Sequence, residues 1–479
     1  MQYLARITKK TRSADNPLVS PDGKMIAALE DRVLSSNPLL ETFGNAQTLR
    51  NDNSSRFGKF IHIFFSTNTG SITGASISNY LLEKTRITHQ VEGERNYHIF
   101  YQLLAGADNE MLEVLGLEGG AQSFNYLSNR DSASKSIDDA ADFKKTCKCL
   151  TQLGIYEEDQ MALFGMVAGV LHLGNVRFED KGGDTDEAQI MEDSLPSLMK
   201  SCDLLGFDEE KVIDAILTKN LTIGGKTIKK SQTASMAAEK RDALAKLTYS
   251  NIFLWLVTCI NDTLDKTSQI ELKPVKKSRN RLAGWSSPLD ADGKQVDDSV
   301  FIGVLDIYGF ECFQENGYEQ LLINYCNEKL QRQFNENVFT VEQNLYSSEG
   351  IDWTYITFND NRPCLDLIEG GGGTVGILNT LDDAWGGMGN SSEKDVKFVS
   401  QVHKMYGSTD KSGDANKTKT EGNTSHDYFV TPKFGKDNQF IIVHFAGEVR
   451  LFLFVILLRC IEFPTSAMSL IETFVWSLA

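Results

Sequence analysis

Two short segments hold the side chains best suited to chemistry. The first, Asn51-Asp52-Asn53-Ser54-Ser55-Arg56-Phe57-Gly58-Lys59, offers amide and hydroxyl donors, one guanidinium, and a glycine that frees the backbone. Such donors suit phosphate oxygens, and a serine hydroxyl is a hard ligand of the kind magnesium takes. The second, Asp306-Ile307-Tyr308-Gly309-Phe310-Glu311, ends an apolar run with an acid and sets a glycine three residues on. Nucleoside triphosphatases place an acid in this way beside Mg2+ and the γ-phosphate. Arg56 and Glu311 are then a charge pair able to close over the site. Either segment alone also reads as a polar turn; the two together point to nucleotide chemistry.

The elements that must position them follow from periodicity. Residues 60–65 (FIHIFF) read as a strand, and Ser299–Asp306 (SVFIGVLD) as a buried strand leading into the second segment. Residues 1–8 have the pattern of a helix end, and 9–24, with Pro17, Pro21 and Gly23, that of a surface loop. Helical periodicity from about Met25 to Leu34 precedes a loop through Asn37-Pro38 and Gly44-Asn45. Helical patterns then dominate from Ile77 to Leu264, where the composition changes. Residues 265–298 are basic, then acidic and turn-rich, as in a surface insert. A long amphipathic helix is expected over 316–346, with Tyr318, Leu321, Leu322, Tyr325, Leu330, Phe334, Val338, Val341 and Leu345 on its apolar stripe. Residues 408–425 are polar and rich in Lys, Thr and Asn, the composition of a disordered segment.

Charge and composition narrow the function. Across 479 residues, 48 Lys and Arg stand against 65 Asp and Glu, a net charge of −17. A general nucleic-acid binder needs a net basic footprint and is excluded. Eight cysteines occur without a C-x-x-C pair and seven histidines without H-E-x-x-H, so no zinc motif is legible. Sparse cysteines fit a reducing compartment. The most hydrophobic run, 451–458, is far short of the roughly 20 residues a membrane span requires. No apolar signal segment opens the chain, and a soluble, cytoplasmic protein with no membrane span is expected.

The residues also carry a family likeness. NDNSSRFGK resembles switch I of a myosin motor, and DIYGFE its switch II. The flanking text agrees in the same order: NPLLETFGNAQTLRNDNSSRFGKFI, LLEKTRITHQVEGERNYHIFYQLLAGA, RDALAKLTY and FIGVLDIYGFECFQENGYEQLLINYCNEKLQRQFNENVF. Kinesins, the nearest confusable family, have a second switch resembling DLAGSE instead. The likeness spans 1–449. It implies an α/β fold of the P-loop NTPase type, a myosin motor core with a mixed central sheet surrounded by helices, incomplete at both ends. On that reading 1–264 hold switch I and the upper actin-binding lobe, and 299–449 hold switch II, the relay helix and part of the lower lobe.

What the resemblance implies for the site is carried over residue by residue. Asn51 and Asn53 lie along the phosphates of ATP, Ser54 helps position the attacking water, and Ser55 ligates Mg2+. Asp306 stands in the second shell of Mg2+, and the Gly309 N–H reaches the γ-phosphate. Arg56 pairs with Glu311 when the switches close. Actin filaments are the implied partner, with light chains on a full-length product, and the cytoskeleton is the implied location. Residues 217–232 fall near the upper actin-contacting loop, with Thr227 or a neighbour at its regulatory position. Residues 376–404 fall at the start of the lower actin-binding helix–loop–helix, although Asp382-Asp383-Ala384-Trp385-Gly386-Gly387 replaces the family's acidic-Cys-x-x-Pro stretch.

Some expectations concern what is missing. No G-x-x-x-x-G-K-S/T occurs. Gly224-Gly225-Lys226-Thr227 is not one, because Asn220 stands where the first glycine belongs, and Glu369-Gly370-Gly371-Gly372-Gly373 lacks the lysine. That loop normally cradles the phosphates, so the chain as written is expected to be a motor fragment with little or no Mg-dependent ATPase activity. The alternatives are a non-hydrolysing actin-binding fragment and a truncated gene-model product. Residues 450–479 are expected to be an unrelated apolar tail.

Overall fold

The computed structural model describes residues 28–67, 70, 72–127, 137–182, 187–223, 226–264, 299–314, 316–371, 374–386, 391–407, 426–433 and 439–452. The expected helix end at 1–8, the loop at 9–24, the insert at 265–298 and the polar segment at 408–425 lie outside the described residues, as does the tail beyond Phe452. The chain divides into two compact units, Met1–Ile307 and Tyr308–Ala479. The division falls inside the second chemistry-bearing segment and not at the insert, because the strand Ser299–Asp306 pairs within the first unit.

In the first unit, β1 (Gly58–Ser66) is the middle strand of a three-stranded antiparallel sheet, between β2 (Ile72–Tyr80) and β3 (Ser299–Asp306). Residues 58–63 of β1 are all buried, so the strand reads as a continuous apolar run rather than an alternation. Register sets Lys59 opposite Asp306 and His62 opposite Gly303. A Cβ on Gly303 would stand 2.7 Å from the Phe60 ring, so a side chain there would displace the aromatic cluster of Phe60, His62 and Phe301.

Helices α1 (Leu29–Gly44), α2 (His98–Gly106), α3 (Asp139–Gln152), α4 (Glu157–Gly174) and α5 (Ala234–Leu264) supply much of the surrounding core. α1 runs straight through Asn37-Pro38, where the sequence suggests a loop. Leu29, Val33, Leu39, Leu40 and Phe43 are each at most 2% exposed, and that burial outweighs the roughly 3 kcal/mol an internal proline costs. The helical region expected from Ile77 also begins later. Ile72, Ala75 and Ile77 are buried on β2, which β1 holds in register.

α5 is long and apolar enough to cross a membrane. Here Tyr249, Ile252, Phe253, Leu256, Val257, Ile260 and Leu264 face the protein core, and Asn261 clamps β2 by bonding both the N–H (2.7 Å) and the carbonyl (2.8 Å) of Ile77. The stretch 217–232 is a two-stranded antiparallel hairpin, Thr218–Ile223 against Lys226–Ser231, and not a plain loop. The side chain of Thr227 lies outside the described residues.

The second unit opens with α6 (Tyr318–Asn335), continues through a π-helical turn (Glu336–Val341) and ends in a short α-helix (Glu342–Ser348). α7 (Arg362–Glu369) follows, then helices Ile377–Gly386 and Ser391–Tyr406. A three-stranded antiparallel sheet sets β4 (Gln439–His444) between Phe429–Val430 and β5 (Gly447–Phe452). Leu321, Tyr325, Cys364, Leu365, Ile368, Phe398, Phe440 and Ile442 are fully buried in this unit. Strand pairing continues through Phe452, three residues past the end of the resemblance, with Leu451 fully buried opposite Phe440. The apolar stripe divides. Tyr318, Leu321, Leu322 and Tyr325 are buried, whereas Phe334, Val338, Val341 and Leu345 are exposed. The stripe expected over 316–346 thus packs only in its first half: exposure already begins at Phe334 inside α6, before the π turn.

Candidate functional site

The first segment hangs between α1 and β1. Ser54–Ser55 pairs with Asn45–Ala46 at the end of α1, and the Arg56 N–H donates to the Gly44 carbonyl at 2.8 Å. Gly44 is needed for this close approach, since a Cβ there would lie 2.3 Å from the Phe57 ring. The Tyr249 hydroxyl donates to the Phe43 carbonyl at 2.8 Å and fixes the same corner from α5.

Within the loop, Asn51 is exposed and Ser54 and Ser55 are half-buried. The Asn53 N–H donates to Asn51 Oδ1 at 2.9 Å, closing an Asx turn. The Asn53 side chain is held from several sides: Asn45 Nδ2 donates to its Oδ1 at 3.1 Å, His98 Nε2 lies 3.1 Å from that oxygen, and its Nδ2 donates to Glu41 Oε2 at 3.2 Å. Burial, reinforced by the nearby Arg95 charge, pushes His98 down to about 4, so the imidazole is neutral at pH 7 and Nε2–H is the donor.

Arg56 is 1% exposed. Its Nε donates to Glu83 Oε2 at 2.6 Å and its Nη1 to Ser54 Oγ at 3.3 Å. Glu83 also accepts from Arg86 Nε at 2.7 Å, and Arg86 reaches Glu94 Oε2 at 2.9 Å. Buried charges thus alternate along a chain of four. Burial alone would raise the Glu83 carboxyl, but the Arg56 and Arg86 guanidiniums outweigh it and hold the group down at about 2.

Asp306, at the end of β3, is half-exposed and pairs with the buried Lys59 Nζ at 3.0 Å. In the second unit, Gly309 is exposed, and a Cβ built on it would meet nothing within 4 Å. Glu311 is 8% exposed and is fastened to the start of α6. Its N–H donates to Asn324 Oδ1 at 2.8 Å, its carbonyl accepts from Asn324 Nδ2 at 2.8 Å, and its Oε2 accepts from Gln320 Nε2 at 3.2 Å.

The structure thus brings Asn51, Asn53, Ser54, Ser55 and Arg56 together on one loop, and it seats Asp306 at a strand end as the sequence predicts, although that strand is not buried: Val300, Phe301 and Ile302 are exposed. Glu83, His98, Gln320 and Asn324 hold the candidate residues; all four lie in segments that carry the family likeness, but sequence reading assigned them no role. Glu83 and Arg86, three residues apart in LLEKTR, carried a weak signal as an i,i+3 ion pair. The polar Gln320 and Asn324, one turn apart within an apolar helix, carried another.

Comparison with known proteins identifies the family. The family model described as "Myosin head (motor domain)" matches residues 1–275 and 289–453. "Myosin-2" of Saccharomyces uvarum is 37% identical over 451 residues, covering 94% of this chain and 25% of the relative. "Myosin-I heavy chain" of Dictyostelium discoideum is 39% identical over 422 residues, covering 88% of this chain and 16% of the relative. "Myosin-51" of Schizosaccharomyces pombe is 37% identical over 450 residues, covering 94% and 27%. The chain therefore spans about a quarter or less of the length of these relatives. With its α/β motor fold and both switch segments in order, the chain belongs to the myosin head family.

Proposed function

We propose that the chain supplies the switch segments and actin-facing surfaces of an actin-based cytoskeletal motor driven by ATP hydrolysis with Mg2+. The observation that carries the reading is the Arg56 cradle: a guanidinium 1% exposed, fixed by Glu83, and hydrogen-bonded to Ser54 in a loop of amide and hydroxyl donors. The donor set fits a magnesium nucleotide. Ser54 and Ser55 are half-buried, the Asp306 carboxylate is half-exposed, and the backbone at Gly309 is open. When bound, ATP with Mg2+ supplies the phosphoanhydride to be cleaved and the cationic charge that neutralises its oxygens.

The protein's part is positioning. Asn51 and Asn53 would line the phosphates, and Ser55, supported by Asp306, would hold the metal. Ser54 would orient the attacking water, and the Gly309 N–H would donate to the γ-phosphate. Pairing of Arg56 with Glu311 would exclude bulk water, and oriented donors of this kind carry most of the rate in such chemistry. Because Gln320 and Asn324 fasten Glu311 to α6, movement of the second switch would travel along that helix, in keeping with a relay role for 316–346. The 217–232 hairpin and the helices of 376–404 are the proposed actin-facing elements, light chains belong to the longer product, and the cytoskeleton is the proposed location.

The 479 residues contain no G-x-x-x-x-G-K-S/T, so the chain by itself is proposed to bind filaments with little turnover. Cosedimentation with actin filaments, paired with a phosphate-release assay, tests both parts. Pelleting that ATP does not reverse, with turnover unchanged by actin, is expected. Failure to pellet removes the actin reading, and turnover that rises with actin removes the low-activity reading.

A further inference from the structure

We propose that Glu328, Cys364 and His444 form a transition-metal site that takes Zn2+ and ties together three elements of the second unit. Glu328 is on α6, Cys364 near the start of α7, and His444 at the end of β4; their exposures are 0%, 0% and 3%. One ligand atom from each lies within 4.8 Å of the other two. His444 Nδ1 is 3.2 Å from Glu328 Oε1 and 3.9 Å from Cys364 Sγ. Zn2+ bonds of about 2.0–2.3 Å in a tetrahedron set neighbouring ligand atoms about 3.3–3.8 Å apart. The two separations from His444 Nδ1 already stand close to that spacing and the third is within 4.8 Å, and thiolate, imidazole and carboxylate are the donor types zinc accepts together.

Outer partners hold the ligands in place, as in established metal sites. Asn361 Nδ2 donates to Glu328 Oε2 at 2.6 Å, the Phe445 N–H donates to Oε1 at 2.8 Å, and the Cys364 thiol faces the Val443 carbonyl at 3.7 Å. A fourth corner is left for water or for that carbonyl.

On loading, the Cys364 S–H bond breaks and its proton leaves to solvent as the S–Zn bond forms. His444 presents the Nδ1 lone pair, any proton on Nδ1 passing to solvent or to Nε2, which has no hydrogen-bond partner among the described residues. Thiolate and carboxylate together then neutralise the 2+ ion, the condition under which charge is tolerated where water is excluded. Such an ion would bind α6, whose Gln320 and Asn324 hold Glu311, to α7 and to β4. No local pattern announces the site, because its ligands are separated by 36 and 80 residues. The inference does not depend on nucleotide or actin binding.

Cobalt(II) titration of the purified full chain, kept reduced with a phosphine, tests it. One equivalent should give a thiolate-to-cobalt charge-transfer band with the strong visible bands of four-coordination, and Zn2+ should bleach both. Zinc should also raise the unfolding temperature, as any ligand of the native state does. Cys364→Ser should lose the charge-transfer band and the zinc-dependent rise. Absence of the band in the native chain, or its persistence undiminished in C364S, overturns the proposal. Should C364S fail to fold by circular dichroism, Glu328→Gln decides: at least a tenfold loss of cobalt affinity supports the site, and unchanged affinity removes it.

Discussion

Arg56 and Glu311, the two charges proposed for the switches, meet different chemistry among the partners described within their own units. Arg56 is held by charge: Glu83 faces two guanidiniums, and Arg86 carries the alternation on to Glu94. Neutral amides hold Glu311, with Asn324 on its backbone and Gln320 on its carboxylate. A buried ion network fails as a whole, since removing one member leaves its neighbours charged and dry. An amide clamp gives way in smaller steps. Arg56 is thus tied into an ion network, and Glu311 is tied to the start of α6.

Glu83→Ala should break this contrast most severely. It leaves Arg56 and Arg86 facing each other without the shared carboxylate, for which about 3–5 kcal/mol is the expected loss in urea unfolding. A loss below about 1 kcal/mol would mean that the charges are not coupled as the distances indicate.

Acid titration should come next in size. His98 is held at about 4 against 6.5 in the unfolded chain, so the unfolded state takes up the proton first and stability falls as pH drops from 6.5 towards 4. That shift corresponds to about 3 kcal/mol. His172 and His62, also lowered by burial, add to the same window. Glu83 behaves as a depressed carboxylate: its contribution is complete above 4.5 and is lost as pH falls towards 2. His98→Gln should lessen the slope between pH 6.5 and 4 and leave the lower transition in place. An unchanged upper slope would show that His98 is not the neutral donor to Asn53.

Asn324→Ala is the matching test on the second switch. It strips partners from one buried N–H and one carbonyl of Glu311, for about 1–3 kcal/mol, with no added pH dependence. A cost equal to that of Glu83→Ala would erase the distinction between the two fastenings.

These residues also show what can be read from sequence. Donor loop, strand ends and family order were legible because each is written in consecutive residues. Lys59 opposite Asp306 was not, since it depends on pairing strands some 240 residues apart. Pro38 misled because propensity is local, whereas the burial of Leu39, Leu40 and Phe43 that overrides it is tertiary. The pairing of Thr218–Ile223 with Lys226–Ser231 was likewise not written in the local sequence. Glu328, Cys364 and His444 meet only through folding and left no spacing to find.

The smallest predicted effect lies further along the helix that holds Glu311. Leu321 is fully buried, and Leu321→Ala should cost about 2–5 kcal/mol through lost burial and the cavity left behind. Leu345, on the same stripe in sequence, is 48% exposed past the π turn, and Leu345→Gln should change stability by less than about 0.5 kcal/mol. Apolar periodicity gives the two leucines equal weight; tertiary burial of the stripe, which ends before Phe334, separates them. Equal losses in urea unfolding would mean that the stripe packs as one surface along its whole length.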